Sequence, residues 1–163
     1  MTGLEFAGQL SMGLVLGGAA VGSALGIGAA GQAAAGAWAK EAKAGKPLNF
    51  SYIILTGMPL SQTIYGFILM FVSLKPALFD AQGAASAVLS NHAGVLLGIG
   101  IAGGLAEMFS AWLQGVIGAA GCRAISEGEG KGLVFIIIAM GIVETVGLFG
   151  FVFLMLVVPK MAG

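Results

Sequence analysis

Apolar residues run through this chain in four long blocks, at 4–39, 50–74, 87–125 and 132–158, with polar residues gathered in three short breaks between them. A helix needs about 20 apolar residues to cross a bilayer, so each block predicts a transmembrane helix. The first and third blocks are longer than the hydrocarbon core and are expected to tilt or project beyond it. The breaks are "KEAKAGKP", "KPALFDAQGAAS" and "SEGEGK". They predict an all-α membrane protein of four transmembrane helices in two helical hairpins, residues 1–79 and 80–163. The opening "MTGLEFAGQL" lacks the basic stretch of a cleaved signal peptide, so the first block is expected to stay as a span.

The two halves resemble each other. "YGFILMFV" at 65–72 returns as "FGFVFLML" at 149–156, a shift of 84 residues. The first and third spans are glycine-rich, and the second and fourth are bulky. Both hairpins point the same way, so the repeat is parallel. Gly13/Gly17, Gly18/Gly22, Gly22/Gly26, Gly94/Gly98 and Gly100/Gly104 are each spaced four apart. Small residues at that spacing let helix backbones approach closely in lipid. Spans one and three are therefore expected to pack tightly, with two and four outside facing lipid.

Composition agrees with the pattern. The chain of 163 residues is 58% hydrophobic and 9% charged, too few charges to coat a water-exposed surface. Net charge is zero, which points away from nucleic acid as a partner. Cys122 is the only cysteine, which excludes an intrachain disulfide, and His92 lies in a polar stretch that reads as a solvated interface. No nucleophile–base pair, metal cluster or phosphate loop is legible, so no chemistry is expected on this chain itself. Four spans put both termini on one side. Lys40, Lys43, Lys46, Arg123 and Lys131 lie on the hairpin-loop side, against Lys75 and Lys160 on the terminal side. The positive-inside rule places the loops in the cytoplasm and both termini outside.

Three polar side chains share one depth. Glu144 lies 13 residues after Lys131, Gln62 lies 12 after Phe50, and Gln114 lies 12 before Ser126. At about 1.5 Å per residue, each stands roughly 18–20 Å from its helix end, near the membrane middle. Ser61, Tyr65 and Thr145 join them. Pro59 cannot offer an N–H to the carbonyl of residue 55 and strains the turn around Met58, so carbonyls there can turn outward. An ionised glutamate at this depth costs at least ~2.5 kcal/mol unless an ion neutralises it. A proton needs only the carboxyl and one acceptor, whereas a hard cation needs several oxygens. The cluster supplies several, which favours Na⁺ over H⁺; Li⁺ would fit as well.

The combination resembles a known family. "VETVGLFGF" is similar to the ion-site helix of the rotor-ring proteolipid (the c or K subunit) of V-type ATPases. "PLSQTIYGF" and "WLQGVIGAAG" resemble the second- and third-span segments of its bacterial, sodium-transporting members. The resemblance covers almost the whole chain. It implies that Glu144 is the central carboxylate of a sodium site, with side-chain oxygens from Ser61, Gln62 and Gln114 and the backbone carbonyl of Met58. Tyr65 would bond Glu144 and lock the site.

It further implies a ring of about ten identical subunits, which close glycine packing allows. A static membrane partner with a basic residue would flank the ring, and a central-stalk subunit would meet loops 40–46 and 123–131. A bacterial plasma membrane is the implied location. Ser61 stands where threonine is common and Leu60 where glycine is usual, the latter a change expected beside the carboxylate. Two rival readings remain: the same rotor carrying H⁺, and a passive tetraspan channel. Glu107 falls outside the pattern. It could line an aqueous path, face the ring lumen near the headgroups, or sit protonated in a helix contact.

Overall fold

The structure is a computed structural model that describes residues 2–159; the expected outer charge Lys160 lies outside them. Four helices carry the chain: α1 (Gly3–Lys43), α2 (Ser51–Leu78), α3 (Ala87–Glu127) and α4 (Leu133–Val157). All four are long and apolar enough to cross a membrane, as the hydropathy blocks predict. At 41 residues each, α1 and α3 are about 60 Å long, roughly twice the hydrocarbon thickness, so both extend past it.

Local chemistry sets the ends. Thr2 caps α1 in a capping box with Glu5, and Ser86 accepts from the Leu89 N–H at the start of α3. Past α1 the chain turns at Gly45 (φ 64°), and α4 begins after Gly132 (φ 92°), where a side chain would be strained. The middle connector is short and closed by an isolated antiparallel bridge between Phe79 and Ala85. His92 is exposed, in line with a solvated interface, and kinks α3 there (φ −131°, ψ 22°).

Helix α2 is the irregular one. Residues Met58–Leu60 form a 3₁₀ turn around Pro59, and Leu69–Leu74 form a π-helical stretch before Pro76. Each proline lacks the N–H that an α-helix would direct to the carbonyl four residues back, and the backbone changes pitch nearby to absorb the loss. The helix therefore continues through Pro76 to Leu78, past the end at residue 74 expected from hydropathy.

Helices α1 and α3 form the central pair, and α2 and α4 cover one side of it. Glycine makes that pair possible. A Cβ on Gly18 would fall within 3.0 Å of Gly104 backbone atoms, one on Gly22 would strike Met108, and one on Gly115 would strike Gly26. The pairs Gly18/Gly22, Gly22/Gly26 and Gly100/Gly104 thus behave as the sequence predicts. Gly13, Gly17, Gly94 and Gly98 do not, because no neighbour lies within 4 Å of their Cβ positions. Gly17 stands about 100° around the helix from Gly18, enough to leave the contact stripe.

Two apolar cores result. One, at the terminal end, joins Val15, Leu69, Leu74, Leu78, Leu89 and Leu96. The other, at the hairpin-loop end, joins Ala34, Tyr52, Leu55, Cys122, Ile125 and Met140. The outer faces of α2 and α4 expose Ile64, Phe67, Phe71, Phe135, Ile142 and Phe153, as lipid-facing helices should.

The hairpin-loop end is locked by polar groups. Tyr52 donates to Glu41 Oε1 at 2.5 Å, the Asn49 N–H donates to Glu41 Oε2 at 2.9 Å, and Trp38 Nε1 donates to the Asn49 carbonyl at 2.9 Å. Lys46 reaches Glu129 of the other loop at 3.2 Å, an exposed pair of little energetic weight.

A Cβ at the central contact should separate α1 from α3. Gly115→Ala is expected to lower thermal stability of the detergent-solubilised chain by about 1–3 kcal/mol, the usual cost of overpacking. Gly13→Ala should not lower it and is expected to add up to about 1 kcal/mol, because alanine has the higher helix propensity and its Cβ meets no neighbour. Equal melting temperatures for the two variants would contradict this packing.

Candidate ion-binding site

Between the two apolar cores lies a polar layer, built where α2, α3 and α4 meet. Helix α2 contributes Met58, Ser61, Gln62 and Tyr65, helix α3 contributes Ser110 and Gln114, and helix α4 contributes Glu144. Gln62 and Gln114 are wholly buried at 0% exposure. Met58, Ser61, Tyr65 and Glu144 are half-buried.

One continuous hydrogen-bond chain joins them. Ser61 Oγ donates toward both the Met58 carbonyl and Gln62 Oε1, each at 3.1 Å. Gln62 Nε2 donates to Gln114 Oε1 at 3.3 Å. Gln114 Nε2 donates to Glu144 Oε2 at 3.2 Å and to the Met140 carbonyl at 3.3 Å. Tyr65 donates its hydroxyl to Glu144 Oε1 at 3.1 Å, and its ring stacks on Phe151 at 5.7 Å. Both oxygens of Glu144 are therefore held from different helices, one by α2 and one by α3.

The backbone break shapes the other end of the chain. Pro59 is buried inside the 3₁₀ turn. The Met58 carbonyl accepts the short-turn N–H of Ser61 and its hydroxyl. It remains close to the side-chain oxygens of Ser61 and Gln62. The carbonyl of Leu55, freed by Pro59, turns instead toward α3, where Gly118 leaves room for it. Pro59 thus supports the cluster through Met58 and not through residue 55.

Two expectations need correction. Thr145 is exposed, and its hydroxyl donates to the Ile142 carbonyl of its own helix at 2.7 Å. One residue past Glu144 is about 100° around α4, which carries Thr145 away from the layer. Leu60 is 52% exposed and lines a groove with Ile27, Gly31 and Trp38, so it does not pack beside the carboxylate.

Ser110 belongs to the layer although sequence reasoning passed over it. Its hydroxyl accepts from Gln62 Nε2 at 3.1 Å and donates to the Val143 carbonyl at 3.0 Å. The available signal was its place four residues before Gln114, on the same face of α3. Glu107 lies further along that face, 1% exposed and packed against Gly147. The helix-contact position is the one the structure adopts. In hairpin one the corresponding level holds a Thr63–Ser23 hydroxyl pair at 2.7 Å.

Two hairpins alike in length, with one carboxylate between them, call for comparison with known families. The family model for the C subunit of ATP synthase matches residues 10–73 and again 97–157. The chain belongs to the ATP synthase C-subunit family. Each match covers one hairpin, so the chain is two family units fused in tandem. Membership makes it an integral, multi-pass membrane component of the proteolipid rotor in an ATP synthase-type complex, assembled with identical copies into a ring that serves ion transport. Among the curated proteins compared, none matches the chain.

The Ser110 hydroxyl bridges two helices, so deleting it should be felt although it touches no carboxylate. Ser110→Ala is expected to cost about 1 kcal/mol in thermal stability of the solubilised chain. Ser110→Thr, which keeps the hydroxyl, should cost less. A Ser110→Ala chain as stable as the parent would remove Ser110 from the layer.

Proposed function

We propose that this chain is the rotor-ring proteolipid of a bacterial V-type ATPase and that its cargo is Na⁺. The observation that supports the reading best is the hydrogen-bond chain from Met58 to Tyr65, centred on Glu144 and buried at Gln62 and Gln114. A proton on Glu144 would need one acceptor. This site gathers five oxygen-bearing groups instead: the Met58 carbonyl, Ser61, Gln62, Gln114 and Glu144. That is the donor type a hard cation recruits. The Gln62–Gln114 bond and the Ser61–Met58 bond are the ones an entering Na⁺ would replace, with each amide turned to present its oxygen. Tyr65, anchored on Phe151, would keep Glu144 aimed while the ion comes and goes.

The resemblance implies the transport cycle. Na⁺ enters by one aqueous half-channel and neutralises Glu144. The loaded site rotates through lipid at a tolerable cost, because no net charge faces hydrocarbon. A basic residue of a static membrane partner then displaces the ion into a second half-channel. Moving one charge against 100 mV costs about 2.3 kcal/mol, which ATP hydrolysis in a soluble head would supply through a central stalk. One Glu144 per four helices gives few ions per turn and suits pumping. The hairpin loops 40–46 and 123–131 are the stalk contacts in this reading, on the cytoplasmic side, with the termini outside. The Glu41–Tyr52–Asn49 lock supports that role by stiffening the loop end.

Carbodiimide attacks a protonated carboxyl, so competition between Na⁺ and H⁺ can be read directly on Glu144. In the purified ring at mildly acidic pH, NaCl should slow labelling of Glu144 and KCl should not. Labelling that responds to pH alone would make the ring a proton rotor. Glu144→Gln should abolish ATP-driven transport in the assembled complex. Each of Gln62→Ala and Gln114→Ala should raise the Na⁺ concentration needed for protection about tenfold, if each oxygen contributes about 1.4 kcal/mol.

A further inference from the structure

Glu107 is the one other carboxyl inside the described membrane layer, and the proposed cation site leaves it over. It is 1% exposed, and neither of its oxygens has a hydrogen-bond partner among the described residues. Its position is specifically accommodated. A Cβ on Gly147 would stand 2.8 Å from Glu107 Oε2 and 2.8 Å from Ser110 Oγ, so the carboxyl occupies room that only glycine leaves. The internal repeat sharpens this. Helices α1 and α3 begin at Gly3 and Ala87 and end at Lys43 and Glu127, the same 84-residue shift at both ends. Under that shift Glu107 and Gly147 correspond to Ser23 and Thr63, which simply bond each other at 2.7 Å. Hairpin one closes this helix contact with two small hydroxyls, whereas hairpin two closes it with a carboxyl against a glycine.

Charge decides what the carboxyl carries. On α4 the only titratable group is Glu144, and on α2 the nearest is Tyr65. Helix α1 has none between Glu5 and Lys40, and α3 has no other between His92 and Cys122. No cationic side chain on these stretches can balance Glu107, so the balance must come from a bound ion. The oxygen supply is thin. Ser110 Oγ lies beside the same Gly147, already donates to Val143 and accepts from Gln62, and retains one lone pair. One spare acceptor suits a carboxylic O–H, while a hard cation wants about six oxygens.

We propose that Glu107 is a second ion-binding carboxyl of this chain, selective for a proton and displaced from Glu144 toward the terminal end. Glu144 is half-buried and exchanges its ion; Glu107 is sealed and keeps its proton through rotation. The ring then carries a standing row of neutral carboxylic acids beside its row of exchanging sites. This holds whichever ion Glu144 takes.

Infrared spectroscopy of the assembled ring tests it, because the carbonyl stretch of a carboxylic acid is resolved from carboxylate bands. With saturating NaCl at neutral pH, the wild-type ring should show an acid band. Glu107→Gln should remove that band, and Glu144→Gln should leave it. No acid band, or one that Glu107→Gln leaves at full strength, overturns the proposal; a band that Glu107→Gln only weakens supports it and places a second proton on Glu144. A band lost only in Glu144→Gln would overturn it too, and would separately count against Na⁺ at Glu144. Should Glu107→Gln rings fail to assemble, Glu144→Gln rings labelled with ¹³C-carboxyl glutamate decide the matter. One protonated glutamate per chain supports the proposal and none defeats it. Glu41→Gln serves as the control for the buried carboxyl at the hairpin-loop end.

Discussion

A carboxylate held in hydrocarbon has to be satisfied by its own protein, and the arrangement of this chain follows from that demand on Glu144. Bilayer hydrocarbon offers no hydrogen bonds at that depth, so the partners of Glu144 arrive on other helices. Tyr65 comes from α2 and Gln114 from α3, and each holds one oxygen of the carboxylate. Gln62 and Ser110 then hold Gln114 and the backbone of α4 in turn. Two apolar cores, one above and one below, seal the layer. Neither core alone would fix the azimuth of α4, whose outer surface is almost entirely exposed; the polar layer does.

The glycine contact serves the same end from behind. Where Gly18, Gly22 and Gly26 meet Gly104, Met108 and Gly115, the α1 and α3 backbones touch. A thinner central pair brings α2 and α4 nearer to each other across α3. That closeness lets a tyrosine hydroxyl on α2 span to a glutamate on α4. The close packing is thus a condition of the polar chemistry as well as of helix association.

Much of this was legible from residue order. Mean hydropathy marks four spans because nothing but membrane burial rewards such long apolar runs. The depth count brought Gln62, Gln114 and Glu144 to one level because helical rise is constant. Azimuth was harder to read. Thr145 shares the depth of Glu144 but faces away, and Gly13 and Gly17 have the right spacing on the wrong side. Rotation about the axis is fixed by neighbours that a single helix does not encode. Ser110 stayed hidden because a lone serine in a membrane helix is a weak signal until its partners are placed. Glu41 falls in the polar break "KEAKAGKP", yet it is the buried acceptor for Tyr52 and Asn49. Its helix runs on past the last apolar residue, and hydropathy has no means of announcing that.

The two irregular stretches of α2 act on torsion. A 3₁₀ turn at Met58–Leu60 winds the backbone more tightly than an α-helix, and the π stretch at Leu69–Leu74 winds it more loosely. Their twists oppose each other. The segment between them, Ser61–Ile68, is regular α-helix, and a tighter turn before it and a looser one after it shift the helix phase in opposite senses. Gln62 and Tyr65 ride on that segment. The ends of α2 can therefore keep one strip of side chains toward lipid while its middle turns a different strip inward.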